Sequence, residues 1–334
     1  MSNINIAFAF DYNYYRQAII AISSLLDCAR NKFFYNIYCL IKKDITPDIQ
    51  QEIINELTKK SKHSKIIFLD MADYFDRAHE CRGISNATYF KLALHRLLPI
   101  DKIIYSDVDV LFNTDLSEID KIDISPYFLG AVKDIIYNTD EKRKEVESKF
   151  DYWSTDLANI GKNYRNGGFW LINLKKFREA DFDDKIAALS EKNYNFQDQD
   201  LINVLFVNNQ DKILTISPRY IVLPGNFPQN YKKALQDQVI SKQDYRDVLE
   251  RPAIFHYAGR KPWDDPTLNM ADKWWKYVKR NTSYYSYFIN KLPKELRPQG
   301  IKRIFKTIFS VVSNGKHKKI TILGLKFKIK NTKE

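Results

Sequence analysis

Glycine is scarce, with 10 in 334 residues, and neither G-x-x-x-x-G-K-[ST] nor G-x-G-x-x-G occurs. A Gly-rich phosphate cradle is thereby excluded, so a bound nucleotide needs another grip on its phosphates. Cysteine is scarcer still. Cys28, Cys39 and Cys81 are odd in number and show no metal-ligand spacing, which argues against a disulfide framework and for a reducing compartment. No run of about 18 apolar residues is present, and residues 1–10 lack the basic and long apolar regions of a secretory signal. The expectation is a cytoplasmic protein with no membrane span.

What the chain does have is enough apolar (44%) and aromatic (14%) content to bury one large core. Its net charge of +12 is unevenly spread. Residues 273–334 hold 17 Lys/Arg against 2 Asp/Glu, while the preceding residues hold 36 against 39. A near-neutral body excludes a polyanion running through a main site, and a basic, aromatic tail suggests docking on an anionic surface. The organisation expected is a catalytic domain over 1–272 and a membrane-association region over 273–334.

Apolar runs at 4–10, 37–41, 65–69, 102–106, 127–132, 169–174 and 253–256 read as strands. Helical spacing at 14–28, 47–59, 88–98, 175–192 and 198–208 reads as helices, with Thr46 as a cap and Pro47 at the first helical position of the second. Alternation of this kind predicts an α/β fold with a mostly parallel sheet covered on both sides. The polar stretch 134–163, with Tyr137, Phe150, Tyr152 and Trp153, is too long for mere linkage and is assigned to acceptor contacts.

Asp107-Val108-Asp109 is the centre of the chemistry. Residues i and i+2 of an extended chain share a side, so both carboxylates reach one divalent cation and the diphosphate it bridges. The same spacing recurs at Asp181/Asp183 and Asp198/Asp200. Context separates them: only the first follows a buried strand, and ligands in α/β sheets bind beyond the strands' carboxyl ends.

Five segments, Ala9-Phe10-Asp11-Tyr12-Asn13-Tyr14, Ser106-Asp107-Val108-Asp109-Val110, Asn166-Gly167-Gly168, Phe196-Gln197-Asp198-Gln199-Asp200 and His256 through Trp263, resemble in order and spacing those of family 8 glycosyltransferases, over about residues 4–275. The resemblance implies a GT-A Rossmann-like mixed sheet, mostly parallel and flanked by helices. It implies retaining transfer of a hexose, galactose or glucose, from a UDP-sugar, with Mn²⁺ (Mg²⁺ as second choice) held by Asp107, Asp109 and His256. A mixed carboxylate and imidazole set favours Mn²⁺, since Mg²⁺ prefers oxygen alone.

By the same resemblance Ala9, Asp11, Asn13 and Tyr14 hold uracil and ribose. Lys91, Val108, Gly259 and Lys261 face the donor, and Asn166, Asp198 and Gln199 surround the reacting sugar. Lys91 stands where several members carry arginine, so a bidentate grip becomes a point charge. An amide at 199 is a weak nucleophile, which favours front-side attack by the acceptor over double displacement through Asp198.

Apolar positions at Ile301, Ile304, Phe305, Ile308 and Phe309 predict an amphipathic helix over 301–312 with a basic face, suited to a headgroup region. Alternation over 320–329 reads as a strand. The expected acceptor is a membrane-associated glycan, foremost a lipopolysaccharide or lipooligosaccharide core, and the expected place is the inner face of the cell membrane. Nucleic acid is not an expected partner: neither a helix-turn-helix nor an RNA-binding signature is present. A sugar nucleotidyltransferase of related fold is disfavoured because residues 11–16 contain no glycine.

Overall fold

In the computed structural model the opening apolar run becomes β1 (Ser2–Ala9). Polar turn residues then lead into α1 (Tyr15–Cys28), whose Ala18, Ile22, Leu25 and Leu26 are buried. The alternation continues through β2 (Phe33–Ile41), α2 (Pro47–Thr58) and β3 (Ser64–Asp70). Pro47 begins α2 as expected, but Thr46 makes no side-chain capping bond. The structure describes residues 2–297 and three later strands, Phe309–Ser313, His317–Ile322 and Leu325–Lys330. It divides into two compact units, Met1–Gly259 and Arg260–Glu334.

The first unit continues with β4 (Lys102–Ser106), β5 (Val110–Phe112), β6 (Leu129–Lys133), β7 (Arg165–Asn173), β8 (Ile213–Thr215) and β9 (Ile254–His256). Seven strands form one sheet in the order β3-β2-β1-β4-β7-β6-β8. It is mixed but mostly parallel, as expected: β7 is antiparallel to both β4 and β6, and the other pairings are parallel. β5 and β9 form a separate two-stranded ribbon. Every residue of β7 is buried, and helices flank the sheet, α2 against β3 and Gln197–Leu205 against β7, while α1 packs on β5 of the ribbon.

Several elements depart from their sequence pattern. The segment expected as one helix over 88–98 is a 3-10 helix, Asn86–Ala93, followed by a short α-turn, Leu94–Leu97. The helix expected over 175–192 is two, Leu174–Ala180 and Asp183–Ser190, broken where Asp181 takes φ +47°. Aspartate tolerates that left-handed region better than most residues. β7 starts at Arg165, earlier than the apolar run, so that Asn166-Gly167-Gly168 lies inside a strand. The stretch 134–163 folds on itself, with helix Asp140–Lys149 and a small core of Val146, Trp153, Leu157, Ile160 and Tyr164.

The second unit begins before the change of composition at residue 273. Helices Ala271–Asn281 and Tyr285–Lys291 close on Trp274, whose ring lies 5.3 Å from that of Trp263 and 4.9 Å from that of Phe288. Of the aromatic residues read as a tail, Trp274, Tyr284 and Phe288 are therefore buried in a packed core. Further on, Phe309–Ser313, His317–Ile322 and Leu325–Lys330 pair antiparallel as a meander. Part of the helix expected over 301–312 lies outside the described residues, 301–308. Its end is corrected to strand, in keeping with the β-branched Val311 and Val312. The single strand expected over 320–329 is two. Among the described residues no helix is long and apolar enough to cross a membrane.

Replacing Trp274 by alanine is expected to cost about 3–5 kcal/mol, since it empties the centre of that aromatic cluster. Urea unfolding of the whole chain followed by near-ultraviolet circular dichroism measures it.

Candidate functional site

The strand-end acids are positioned by backbone bonds. Asp107 N–H donates to the Gly168 carbonyl at 2.9 Å, holding the chain against β7 for one residue beyond β4. β5 then leaves to pair with β9, which sets Val110 opposite His256, and Tyr257 N–H donates to the Asp109 carbonyl at 2.9 Å. His256 is thereby delivered to the acids. Its Nε2 lies 3.1 Å from Asp109 Oδ1 and 3.7 Å from Asp107 Oδ2, and one ligand atom from each residue falls within 4.8 Å of the others.

Two carboxylates and an imidazole converging in this way form a donor set that fits a divalent cation. Val108, between the acids, is buried. Gly168 makes the convergence sterically feasible: a Cβ there would sit 2.4 Å from His256 Cε1 and 3.1 Å from Asp107 Oδ2. A Cβ on Gly167 would sit 3.0 Å from Asp198 Oδ2. The Asn-Gly-Gly strand is thin so that both groups can close over it.

Lys91 is the counter-charge. Its side chain is wholly buried, with Nζ 2.6 Å from Asp198 Oδ2, 3.8 Å from Asp107 Oδ1 and donating to the Gly167 carbonyl at 2.7 Å. The ammonium also lies 4.4 Å from the Tyr105 ring centre and 4.5 Å from that of Trp170, a cation–π setting. Burial pushes the Asp198 carboxyl above the usual range, while Lys91 pulls it down and Asp107 adds to the rise. Thr88 hydroxyl donates to Asp198 Oδ1. Tyr105 hydroxyl donates to Asp107 Oδ1 at 2.9 Å, and burial together with Asp107 raises its pKa well above that of a free phenol.

Asn166 and Gln199 are tied to a residue the sequence reading left in a loop. Asp134 Oδ2 accepts from Asn166 Nδ2 at 3.0 Å and from Gln199 Nε2 at 3.4 Å, and Gln199 Oε1 accepts from Gly167 N–H at 2.7 Å. The signal was available: Asp134 follows an apolar strand just as Asp107 does. Asp200 was also missed. It is buried and accepts from Tyr164 and Tyr152 hydroxyls at 2.5 and 2.7 Å and from Phe196 N–H at 2.7 Å. Burial pushes its pKa up to about 6 against those bonds. It braces the turn in which Gln197 takes φ +46° and from which Asp198 and Gln199 project.

At the end of β1, Ala9 is buried while Asn13 is exposed. Asp11 accepts from Asn13 N–H at 2.9 Å and from Ser85 hydroxyl at 2.9 Å, so the turn is linked to the segment preceding Lys91. Gly259 ends the first unit at φ +80°, which a side chain would strain. Lys261 falls in the second unit, where its carbonyl accepts from Asp265 N–H at 2.9 Å.

A mixed seven-stranded sheet with paired acids at a strand end and a histidine brought to them by a side ribbon defines the class. The family model for glycosyl transferase family 8 matches residues 5–267, and the chain belongs to that family. A Haemophilus influenzae protein with a provisional glycosyltransferase name is 32% identical over 222 residues, 62% of each chain, so the match spans under two thirds of that relative. The lipopolysaccharide 1,2-glucosyltransferase of Escherichia coli K12 is 25% identical over 290 residues, 84% of this chain and 79% of that one. Among solved structures, galactosyltransferase LgtC with donor and acceptor sugar analogs superposes with a TM-score of 0.65 at 25% identity, covering 84% of this chain and 97% of that one.

Gly168→Ala is expected to destabilise by about 1–3 kcal/mol through overpacking against His256. Gly225→Ala, whose Cβ meets nothing within 4 Å, should stay within about 0.5 kcal/mol. Parallel urea titrations compare the two. Asp200 gives a pH signature. Its folded pKa of about 6 lies above the unfolded value of about 3.9, so the native state keeps a proton that the unfolded state has lost between them. Its contribution to stability therefore falls as pH rises from about 4 to 6, by about 2–3 kcal/mol. The stability of Asp200→Asn relative to the parent protein should rise by that amount over the same window, as urea titrations at about pH 4 and pH 7 measure.

Proposed function

We propose that the chain transfers a hexose, galactose or glucose, from a UDP-sugar to a glycan acceptor with retention of anomeric configuration. The observation that carries this reading is the convergence of Asp107, Asp109 and His256 within 4.8 Å beside Asn166, Asp198 and Gln199. Mn²⁺ suits that donor set better than Mg²⁺ because one ligand is an imidazole nitrogen. When bound, the cation supplies Lewis-acid neutralisation of charge on the departing diphosphate.

The protein's own groups do the rest. Ala9, Asp11, Asn13 and Tyr14 sit at the end of β1, where a base binds by its polar edge and by stacking on a tyrosine ring. Lys91 places a fixed positive charge beside the leaving group's side of the site. Asp198 and Gln199 flank the sugar. Their oxygens are already engaged, Asp198 by Lys91 and Thr88 and Gln199 by Gly167 N–H, which supports a front-side route over a covalent one. In that route the bond from the anomeric carbon to the diphosphate oxygen breaks and the acceptor hydroxyl oxygen bonds to the same face. The hydroxyl proton passes to the departing phosphate oxygen.

The acceptor we favour is a lipopolysaccharide or lipooligosaccharide core, in line with the name of the E. coli relative. The 17 Lys/Arg of residues 273–334 would hold the enzyme at an anionic leaflet, each surface cation adding about 1 kcal/mol.

A panel of UDP- and GDP-sugars with Mn²⁺ and no acceptor tests the reaction. UDP release from UDP-galactose or UDP-glucose is expected, with a loss of about 100-fold or more in Asp107→Ala and Asp109→Ala. Release at full rate without metal contradicts the reading.

A further inference from the structure

Beside the transfer site lies a pair of cations that nothing in the mechanism uses. Lys133 and Arg165 are register partners across β6 and β7, at a bulge between Ala131 and Lys133. Like charges placed directly opposite on neighbouring strands repel. Arg165 is 2% exposed, its Nη1 donates to Thr215 Oγ1 at 2.7 Å, and its Nε–H is buried with no acceptor. Among the described residues no carboxylate pairs with either cation. Burial lowers the pKa of Arg165 to about 10, and burial followed by the nearby guanidinium lowers that of Lys133.

A guanidinium so enclosed, with a buried N–H unanswered and a second cation opposite, is an unfavourable arrangement unless an anion completes it. The guanidinium fork matches a phosphate or carboxylate, and the Lys133 ammonium on the facing strand and the Thr215 hydroxyl are the further groups an oxyanion could use. Access is open, since Thr215 is exposed and Lys133 only half-buried. The next residue on each strand belongs to the transfer site: Asp134 follows Lys133, Asn166 follows Arg165, and the two are bonded at 3.0 Å.

We propose that Lys133, Arg165 and Thr215 form an oxyanion subsite, for a phosphate or carboxylate, next to the transfer site. Its assignment to a charged substituent of the acceptor glycan rests on the glycosyltransferase reading. The subsite itself does not.

The test is a thermal-shift titration of the full chain with inorganic phosphate, against sodium chloride at equal ionic strength. Phosphate is expected to raise Tm beyond chloride. The apparent affinity should fall by about tenfold or more in Arg165→Met and Lys133→Met, each of which removes one charge-assisted contact. A phosphate shift that equals the chloride shift, or that survives unchanged in both variants, overturns the proposal. Lys133→Met keeps the test decisive if Arg165→Met fails to fold. Glucose 6-phosphate and glucuronate distinguish the sources: tighter binding than phosphate assigns the subsite to a sugar-borne anion, and equal binding removes the acceptor assignment. Phosphate binding without any UDP-sugar turnover would sink the transfer reading while leaving the subsite in place.

Discussion

Two carboxylates and an imidazole converge so that one ligand atom of each lies within 4.8 Å of the others, and much of the local architecture serves that convergence. β4 ends where Asp107 begins, the ribbon of β5 and β9 folds His256 back onto the acids, and Gly168 leaves room for the ring. Each of these is a backbone device. None would be needed to build the sheet alone, and the approach of Gly168 to His256 admits no larger residue.

Charge balance is the second layer. Two acids, Asp198 at 2.6 Å and Asp107 at 3.8 Å, face one ammonium, that of Lys91, whose buried side chain also meets the Gly167 carbonyl and two aromatic rings. A pair buried this deeply is costly to break, by about 3–5 kcal/mol when one partner is removed, so Lys91 fixes Asp198 and the Gly167 backbone as much as it neutralises the carboxylate. The residual negative charge lies on the side of Asp107 and Asp109, the two acids that with His256 form the proposed cation site. Asp134 performs the corresponding task for Asn166 and Gln199, by hydrogen bonds in place of an ion pair.

Much of the fold was legible because the first half alternates strand and helix with clear periods: β1 through β4 and α1 and α2 fall where the apolar spacing places them. The failures share a cause, since local pattern yields to tertiary pairing. β7 is buried along its whole length, so its polar start at Arg165 and Asn166 carries no strand signature, and the three-residue β5 and β8 escape the strand reading although the equally short β9 does not. Asp181 breaks a helix by adopting a left-handed conformation that composition does not announce. Asp107, Asp109 and His256 could be named from motif order. That His256 meets them follows only from the pairing of β5 with β9. Asp134 and Asp200 went unnoticed because their roles lie in bonds to residues 32 to 65 positions away, among them Tyr152 and Tyr164.

The central claim is that one divalent cation sits among Asp107, Asp109 and His256. Pulsed electron paramagnetic resonance of the protein with one equivalent of Mn²⁺ addresses it directly. The account predicts a bound Mn²⁺ with modulation from a directly coordinated nitrogen that disappears in His256→Gln. A spectrum showing oxygen ligands alone, or a nitrogen signal untouched by that substitution, would contradict it.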